Sequence, residues 1–249
     1  TVPVNGYKPP ELTRETFTYT DRKLMYLEET SDGWKVHTDN GTIGIRPFTD
    51  EIMEVTYFPA EKYIPDSSHS VVLKPGNVMH EMERLAGGYR LKTGKLQACI
   101  TNQPFRICFV KDGDTLLKEE AGFFVNKTNS RVRFRLGTNE MIFGAGERAL
   151  PMNRRGYKLT LYNRPFYGYE MGASMLNYSL PLTFSSKRYA LLFDNPQKGY
   201  VDIGQTDKNV MEWGTIGGTL RYYVIAGSSW PEITEQYTKL TGNQPLPPR

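Results

Sequence analysis

The sequence predicts an all-β protein, a large antiparallel β-sandwich of two sheets with one C-terminal helix. Three observations support this fold class. Short runs of alternating apolar and polar residues recur along the chain, and 249 residues are enough to bury a large core. Turn-forming pairs such as Asn40-Gly41 separate neighbouring runs. Tyrosine and phenylalanine, which favour strands, are abundant at 16 and 12 residues.

Alternation locates the strands. The runs Trp34–Thr38 and Thr42–Arg46 flank Asp39-Asn40-Gly41, which is the strongest short-range hairpin pattern. Arg131–Leu136 has strict period two, so it predicts a half-buried strand with its arginines facing water. The further predicted strands are Glu51–Phe58, His80–Leu85, Gly88–Leu91, Lys95–Thr101, Phe105–Lys111, Tyr178–Phe184, Arg188–Phe193, Gly199–Ile203 and Leu220–Ala226.

One helix is predicted, as the last element. Ser229 is the expected N-cap, Pro231 lies in the first turn, and Glu232 is placed to complete a capping box. Gly242 is the expected stop. The apolar stripe of this helix consists of Ile233, Tyr237 and Leu240.

The chain is expected to contain one domain and a connecting segment. Residues 1–242 are predicted to form the sandwich, and the proline-rich residues 243–249 an extended linker. Because such segments more often connect domains than end a protein, the C-terminus is interpreted as a domain boundary.

Composition argues against several classes of protein. The net charge of +4 comes from basic residues that are not clustered, so no nucleic-acid partner is expected. Mean hydropathy is −0.52 and no apolar run approaches membrane-helix length, so no membrane partner is expected. No metal or other cofactor is expected either, because the three histidines are scattered. The N-terminal residues lack a signal-peptide pattern, but a removed signal would leave the same sequence, so export and a cytoplasmic location both stay open.

The two cysteines, Cys99 and Cys108, lie on successive predicted strands. Two interpretations are open: a cross-strand pair, or two small buried hydrophobic residues, which is the favoured one.

Two segments contain residue types that could carry chemistry. The first is Phe143-Gly144-Ala145-Gly146-Glu147-Arg148, which lacks the third glycine of a dinucleotide fingerprint and is therefore not interpreted as a nucleotide-binding loop. It predicts instead a strand end with a close backbone approach, where Glu147 and Arg148 pair locally. The segment 150–182 mixes tyrosines with asparagines and arginines, which suits either a sugar-binding loop or a loop that packs on another domain. No carboxylate pair can be assigned to a glycosidase site, so no catalytic residue is predicted.

The order of several motifs resembles the N-terminal domain of glycoside hydrolase family 31, which includes α-glucosidases and α-xylosidases. The motifs are Phe143–Arg148, Leu150–Tyr157, Leu161–Asn163, Tyr167-Gly168, Tyr178–Leu182, Phe193–Asn195, Tyr237–Gly242 and Pro245–Arg249.

This resemblance implies a galactose-mutarotase-like sandwich packed on a catalytic (β/α)8 barrel that the present chain does not contain. In that family the barrel supplies both catalytic aspartates of a retaining α-glycosidase, so this segment alone is expected to be inactive. The implied partners are that barrel and an α-linked gluco-oligosaccharide substrate.

The resemblance also implies a substrate-binding loop. Its matching positions here are Tyr162, Asn163 and Arg164, with Tyr167 as a further stacking surface. Many family members have an aspartate where this chain has Pro165, so that contact is not carried over. Two other functions remain as alternatives: a free-standing carbohydrate-binding module and an aldose mutarotase, which would need a histidine and a carboxylate at one site.

Overall fold

The computed structural model describes residues 21–59, 68–76, 78–125, 129–165 and 167–245. Within them the strands are β1 (Leu24–Thr30), β2 (Gly33–Thr38), β3 (Thr42–Thr49), β4 (Ile52–Phe58), β5 (Glu81–Leu85), β6 (Gly88–Lys92), β7 (Gln97–Asn102), β8 (Phe105–Lys111), β9 (Asp114–Val125), β10 (Ser130–Arg135), β11 (Ile142–Gly144), β12 (Tyr157–Leu161), β13 (Leu182–Ser185), β14 (Tyr189–Phe193), β15 (Gly199–Ile203), β16 (Val210–Thr215) and β17 (Leu220–Ala226). Helix α1 spans Trp230–Thr241.

These strands form two antiparallel sheets, which confirms the predicted sandwich. The eight-stranded sheet has the order β1-β2-β3-β4-β17-β14-β13-β11. The nine-stranded sheet has the order β12-β15-β16-β10-β9-β8-β7-β6-β5. Their facing sides enclose one large core, which includes Trp34, Trp213 and Tyr222. Alternation along each strand places these apolar side chains on the inner face.

Helix α1 covers part of the outer face of the eight-stranded sheet. Ile233 and Leu240 of the predicted stripe are fully buried there, against strand residues such as Tyr223 and Ile225. The Ser229 hydroxyl accepts a hydrogen bond from the Glu232 amide, as the capping-box pattern predicts. The Glu232 carboxylate accepts from the Ser228 amide at 2.7 Å, one residue earlier than that pattern requires. No helix in the described part of the chain is long and apolar enough to cross a membrane.

Most predicted strands are present, but some were missed or misplaced. The hairpin around Asn40-Gly41 joins β2 to β3, and the strand at 131–136 exists as β10. The strand predicted at Tyr178–Phe184 begins only at Leu182. The strands that were not predicted are β1, β9, β12 and β16, and β11 was predicted only as the strand end at Phe143-Gly144.

A fully buried carboxylate lies at an irregularity in β9. The pairing between β9 and β10 shifts register between Gly122 and Glu119, which turns the Glu119 side chain into the interior. Its oxygens accept hydrogen bonds from the Ile107 amide and the Tyr222 hydroxyl, both at 3.0 Å. Burial raises the pKa of Glu119 from 4.5 to about 7, because desolvation outweighs these hydrogen bonds.

This pKa predicts a pH-dependent stability. The folded protein holds the Glu119 proton up to about pH 7, whereas the unfolded chain releases it near pH 4.5. Stability from this group is therefore greatest below pH 4.5 and is lost as the pH rises to 7, by up to about 3 kcal/mol. Urea denaturation between about pH 4.5 and 8 measures this slope. In Glu119→Gln the amide oxygen can accept from the Ile107 amide and the NH₂ group can donate to the Tyr222 hydroxyl. Because this amide does not titrate, the variant should lack this component of the slope. An identical slope in both proteins would contradict the assignment.

Candidate functional site

A long loop crosses between the two sheets at one end of the sandwich. It connects β12, at the edge of the nine-stranded sheet, to β13 near the edge of the eight-stranded sheet. We call residues 162–181 the crossing loop. Its exposed large side chains are Tyr162, Tyr167, Tyr169, Met171 and Tyr178. Tyr167 is 88% exposed and Met171 is 96% exposed, so the loop presents an unusually apolar surface to solvent.

The buried side chain of Arg148 anchors this loop. Its guanidinium donates hydrogen bonds to the carbonyl oxygens of Ala145, Thr160 and Ser174, and to the Ser179 hydroxyl, at 2.7–3.1 Å. Burial, together with the nearby charge of Arg154, lowers the pKa of Arg148 to about 10, so the group stays protonated at neutral pH. These acceptors belong to three separate segments of the chain, at residues 145, 160 and 174–179, and Arg148 connects them by hydrogen bonds.

The expected local pairing of Glu147 with Arg148 is therefore wrong. Glu147 is exposed, whereas Arg148 is buried and satisfied by oxygen atoms of the surrounding backbone and of Ser179. The sequence signal was misleading because adjacent opposite charges suggest an ion pair, while the true acceptors lie up to 31 residues away.

The neighbouring glycines permit the close backbone approach that the sequence predicts. Gly144 and Gly146 have φ angles of +97° and +88°, which glycine adopts without strain. A Cβ atom on Gly146 would lie 2.5 Å from the Tyr178 carbonyl oxygen. The Glu147 amide donates to that same carbonyl at 2.8 Å. The end of β11 therefore packs directly against the C-terminal part of the crossing loop.

The four predicted binding residues lie together at the start of this loop. Tyr162 and Tyr167 expose their rings, at 43% and 88%, and Arg164 is also exposed. The side-chain oxygen of Asn163 is already hydrogen-bonded: Oδ1 accepts from the Ser179 amide at 2.6 Å. This bond connects the two ends of the crossing loop. Pro165 is exposed as well. All four predicted binding residues are thus exposed near the start of the crossing loop.

A cleft of about 530 Å³ opens beside the first part of the crossing loop. Tyr162 and Asn163 form one side, and Asp194 and Lys198 contribute from the segment after β14. The Lys198 ammonium lies 5.8 Å from the centre of the Tyr162 ring, within range of a cation–π contact. The cleft therefore combines an aromatic face with hydrogen-bonding groups of both charges.

Asp194 and Arg221 form the charged part of the cleft wall. Both are nearly buried, and the Arg221 Nη1 lies 3.7 Å from the Asp194 carboxylate. Arg221 also lies 3.7 Å from Glu54, which Arg46 holds by hydrogen bonds of 3.0 and 3.2 Å. Burial raises the pKa of Asp194, although a hydrogen bond from Ser68 and the charge of Arg221 oppose this rise. The network fixes the cleft wall onto the outer face of the eight-stranded sheet.

Sequence reasoning missed the contribution of Asp194 and His69 to this cleft. Both line it, so a histidine and a carboxylate share one region of the cleft. Residues 68–70 are distant in sequence from all the recognised motifs, and only the folded chain brings them to this position.

Comparisons with known proteins agree on one family. Residues 42–202 match the family described as "Glycosyl hydrolase 31 N-terminal galactose mutarotase-like domain". The chain is 25% identical over 244 residues to alpha-glucosidase 2 of Bacillus thermoamyloliquefaciens, covering 95% of this chain and 31% of that protein. It is 26% identical over 224 residues to an alpha-xylosidase of Saccharolobus solfataricus, covering 84% and 29%.

Solved structures show the same fold. The Flavobacterium johnsoniae GH31 dextranase in complex with glucose superposes with a TM-score of 0.85 at 23% identity, over 92% of this chain and 29% of that one. A GH31 alpha-xylosidase from a soil metagenome gives a TM-score of 0.77 at 20% identity, over 90% and 35%. The chain thus spans about a third of the length of these relatives. It belongs to glycosyl hydrolase family 31, as the N-terminal galactose mutarotase-like domain of such an enzyme.

Proposed function

We propose that this domain packs on a catalytic (β/α)8 barrel and that its crossing loop borders the substrate entrance of that barrel. The parent enzyme would hydrolyse α-glycosidic bonds of oligosaccharides with retention of configuration. Relatives named as an α-glucosidase and α-xylosidases support this class of substrate, and the aligned region is 29–31% of the α-glucosidase and the archaeal α-xylosidase. The remaining length of those relatives has room for a barrel of about 250 residues.

The exposed but anchored crossing loop is the observation that carries this proposal. A loop with Tyr167 and Met171 almost fully exposed would be costly on an isolated surface. Arg148 and Asn163 nevertheless hold both ends of it by hydrogen bonds. An apolar surface on a fixed loop is typical of one that contacts a second domain or a ligand.

We assign individual roles to the residues of this loop on the basis of their exposure and hydrogen bonds. The Tyr162 and Tyr167 rings can stack on the C–H face of a sugar. Asn163 uses its amide oxygen within the loop, which leaves its NH₂ group as the donor for a sugar hydroxyl. Arg164 can donate several hydrogen bonds from an exposed guanidinium. Residues 243–249 would lead from α1 into the barrel; of these, 246–249 lie outside the described residues.

The first experiment uses an antibody against this domain to detect the longest polypeptide that contains it in the source cells. The length and hydrolytic activity of that polypeptide are compared with those of the 249-residue chain. We expect a product longer by at least a barrel, with hydrolytic activity on malto- and isomalto-oligosaccharides that the 249-residue chain lacks. Turnover by the 249-residue chain itself would contradict the assignment of chemistry to a barrel.

Substitution in the crossing loop of the complete enzyme tests the second half of the proposal. Tyr167→Ala should lower kcat/KM about fivefold, corresponding to about 1 kcal/mol of lost stacking. Tyr26→Ala is the matched control, because Tyr26 is 57% exposed on β1, at the opposite edge of the eight-stranded sheet. Equal kinetic effects of the two substitutions would argue against a role of the loop at the entrance.

The same exposed tyrosines and the adjacent cleft also favour a second candidate, a carbohydrate-binding module that acts without a barrel. Calorimetry of the 249-residue chain with malto- and isomalto-oligosaccharides separates the two functions. Heat of binding that is lost in Tyr162→Ala would support the module. No heat at millimolar ligand would remove it and leave the barrel-dependent function.

A further inference from the structure

The two cysteines face each other on the outer side of the nine-stranded sheet. Cys99 on β7 and Cys108 on β8 are direct partners in the strand register. Their strand neighbours Ala98, Ile100, Ile107 and Phe109 point into the core, so the cysteines point away from it. Both thiols are partly exposed. The expectation that they are small buried hydrophobic residues is therefore wrong; the two are direct cross-strand neighbours, and both are free cysteines.

The hydrogen-bonding sides of the two strands define this pair further. The Asn102 amide donates to the carbonyl oxygen of Gly87, the residue before β6, and the Ile107 amide donates to the carboxylate of Glu119 on β9. Along a strand, the backbone N–H and C=O groups of successive residues point to alternate sides. Asn102 points away from β8 and Ile107 points away from β7, so the backbone groups of Cys99 and Cys108 face each other. They form a hydrogen-bonded pair, in which the Cα atoms lie about 5.5 Å apart.

This spacing allows a disulfide but does not favour a relaxed one. A Cα separation of about 5.5 Å falls within the range of disulfides, about 4.4–6.8 Å. Cβ atoms of opposed strand residues are about 4.5–5.5 Å apart, with the larger values in hydrogen-bonded pairs. A disulfide needs about 3.5–4.5 Å, so a bond here pulls the two strands together. Disulfides strained in this way are reduced readily.

Two cations flank the thiols in the same row across the sheet. Arg90 on β6 is the cross-strand partner of Cys99, and Lys118 on β9 is the cross-strand partner of Cys108. A neighbouring cation stabilises a thiolate, which is the reactive form. Burial raises the pKa of Cys108, although Thr115 and Lys118 oppose this rise. Because burial disfavours the thiolate of Cys108, we assign the second, resolving attack to Cys108 and the first attack to Cys99.

We propose that Cys99 and Cys108 form a reversible dithiol–disulfide pair that exchanges with small disulfides such as oxidised glutathione. The Cys99 thiolate attacks one sulfur of the small disulfide, forming a mixed disulfide and releasing one thiolate. The Cys108 thiolate then attacks the Cys99 sulfur and releases the second. Two protein thiols are oxidised, one small disulfide is reduced to two thiols, and the two cysteine protons pass to the released thiolates.

This site is separate from the crossing loop. The nine-stranded sheet places five strands between β12, where the crossing loop begins, and β7. At about 4.8 Å per strand spacing, Cys99 on β7 lies roughly 29 Å from that edge and Cys108 on β8 roughly 24 Å. The pair therefore acts on the far half of the sheet, and its oxidation is expected to leave the entrance residues in place.

Peptide mapping of the folded full-length protein tests the proposal. The protein is incubated with oxidised glutathione, alkylated and digested with trypsin, which cleaves after Lys95, Arg106 and Lys111 and so places the cysteines on separate peptides. We expect the peptides 96–106 and 107–111 to be recovered as one linked species. An excess of reduced glutathione should return both to the alkylated form without denaturant.

Single variants control the order of events. In Cys108→Ser, Cys99 should accumulate as a mixed disulfide with glutathione, because the resolving thiol is absent. Cys99→Ser should form such an adduct more slowly. Three results would overturn the proposal: full alkylation of both wild-type peptides, separate glutathione adducts on each, or a link that survives reduced glutathione in the folded protein.

Discussion

Replacing Arg148 with leucine is expected to lower the free energy of unfolding by about 4 kcal/mol. The substitution removes the Arg148 donor from the buried carbonyl oxygen of Ala145 and from the partly buried carbonyl oxygens of Thr160 and Ser174, and leaving a buried acceptor unsatisfied costs about 1–3 kcal/mol. Urea denaturation of the 249-residue chain measures the loss. The expected cause is local, so the crossing loop should become sensitive to protease before the rest of the domain unfolds.

Arg164→Leu is the matched control for that experiment. Arg164 lies in the same loop region and carries the same charge, but its side chain is exposed. We expect its loss to change stability by less than about 0.5 kcal/mol. Equal destabilisation by the two substitutions would mean that the net charge of the loop, not the buried hydrogen bonds of Arg148, holds it in place.

Gly146→Ala is expected to cost about 4 kcal/mol. The new methyl group would lie 2.5 Å from the Tyr178 carbonyl oxygen, so strand β11 and the crossing loop would have to move apart. Overpacking of this kind costs about 1–3 kcal/mol, and the φ angle of +88° adds about 1–2 kcal/mol for any residue with a Cβ atom.

Gly156→Ala separates these two contributions. Gly156 has nearly the same φ angle, +90°, but a Cβ atom added there would have no neighbouring atom within 4 Å. Only the backbone strain of about 1–2 kcal/mol should therefore appear at this position. Thermal or urea unfolding of both variants gives the difference. If Gly156→Ala were as destabilising as Gly146→Ala, close approach of the loop would not explain the requirement for glycine.

Strands could be predicted from the sequence where one face is buried in the core and the other is exposed to solvent. β10, with Arg131 and Arg133 outside and Val132 inside, follows that rule and was predicted. β9 does not, because its register shift places the acidic Glu119 in the core and breaks the alternation. β16 was missed as well; Glu212 and Gly214 interrupt its apolar pattern, although both residues lie within the sheet.

The residue types of the candidate site could be predicted from the sequence, but their arrangement in space could not. Aromatic, amide and guanidinium groups at 162–167 suggested a binding surface, and the resemblance named its residues. The role of Arg148 in anchoring the crossing loop could not be predicted from the sequence. Its hydrogen-bond acceptors on Ser174 and Ser179 lie 26 and 31 residues further along the chain. The cleft depends equally on tertiary structure, since His69 and Asp194 meet there from opposite halves of the sequence.

The position of β17 imposes an order on biosynthesis. This strand lies between β4 and β14, and Leu220 pairs with Tyr57 across more than half of the chain. A ribosome adding about 5–20 residues per second needs roughly 10–30 seconds to deliver β17 after β4 has been made. Throughout that interval β4, almost entirely buried in the finished protein, has an open edge. Nascent chains stalled before residue 220 should consequently be the ones that chaperones bind and that aggregate.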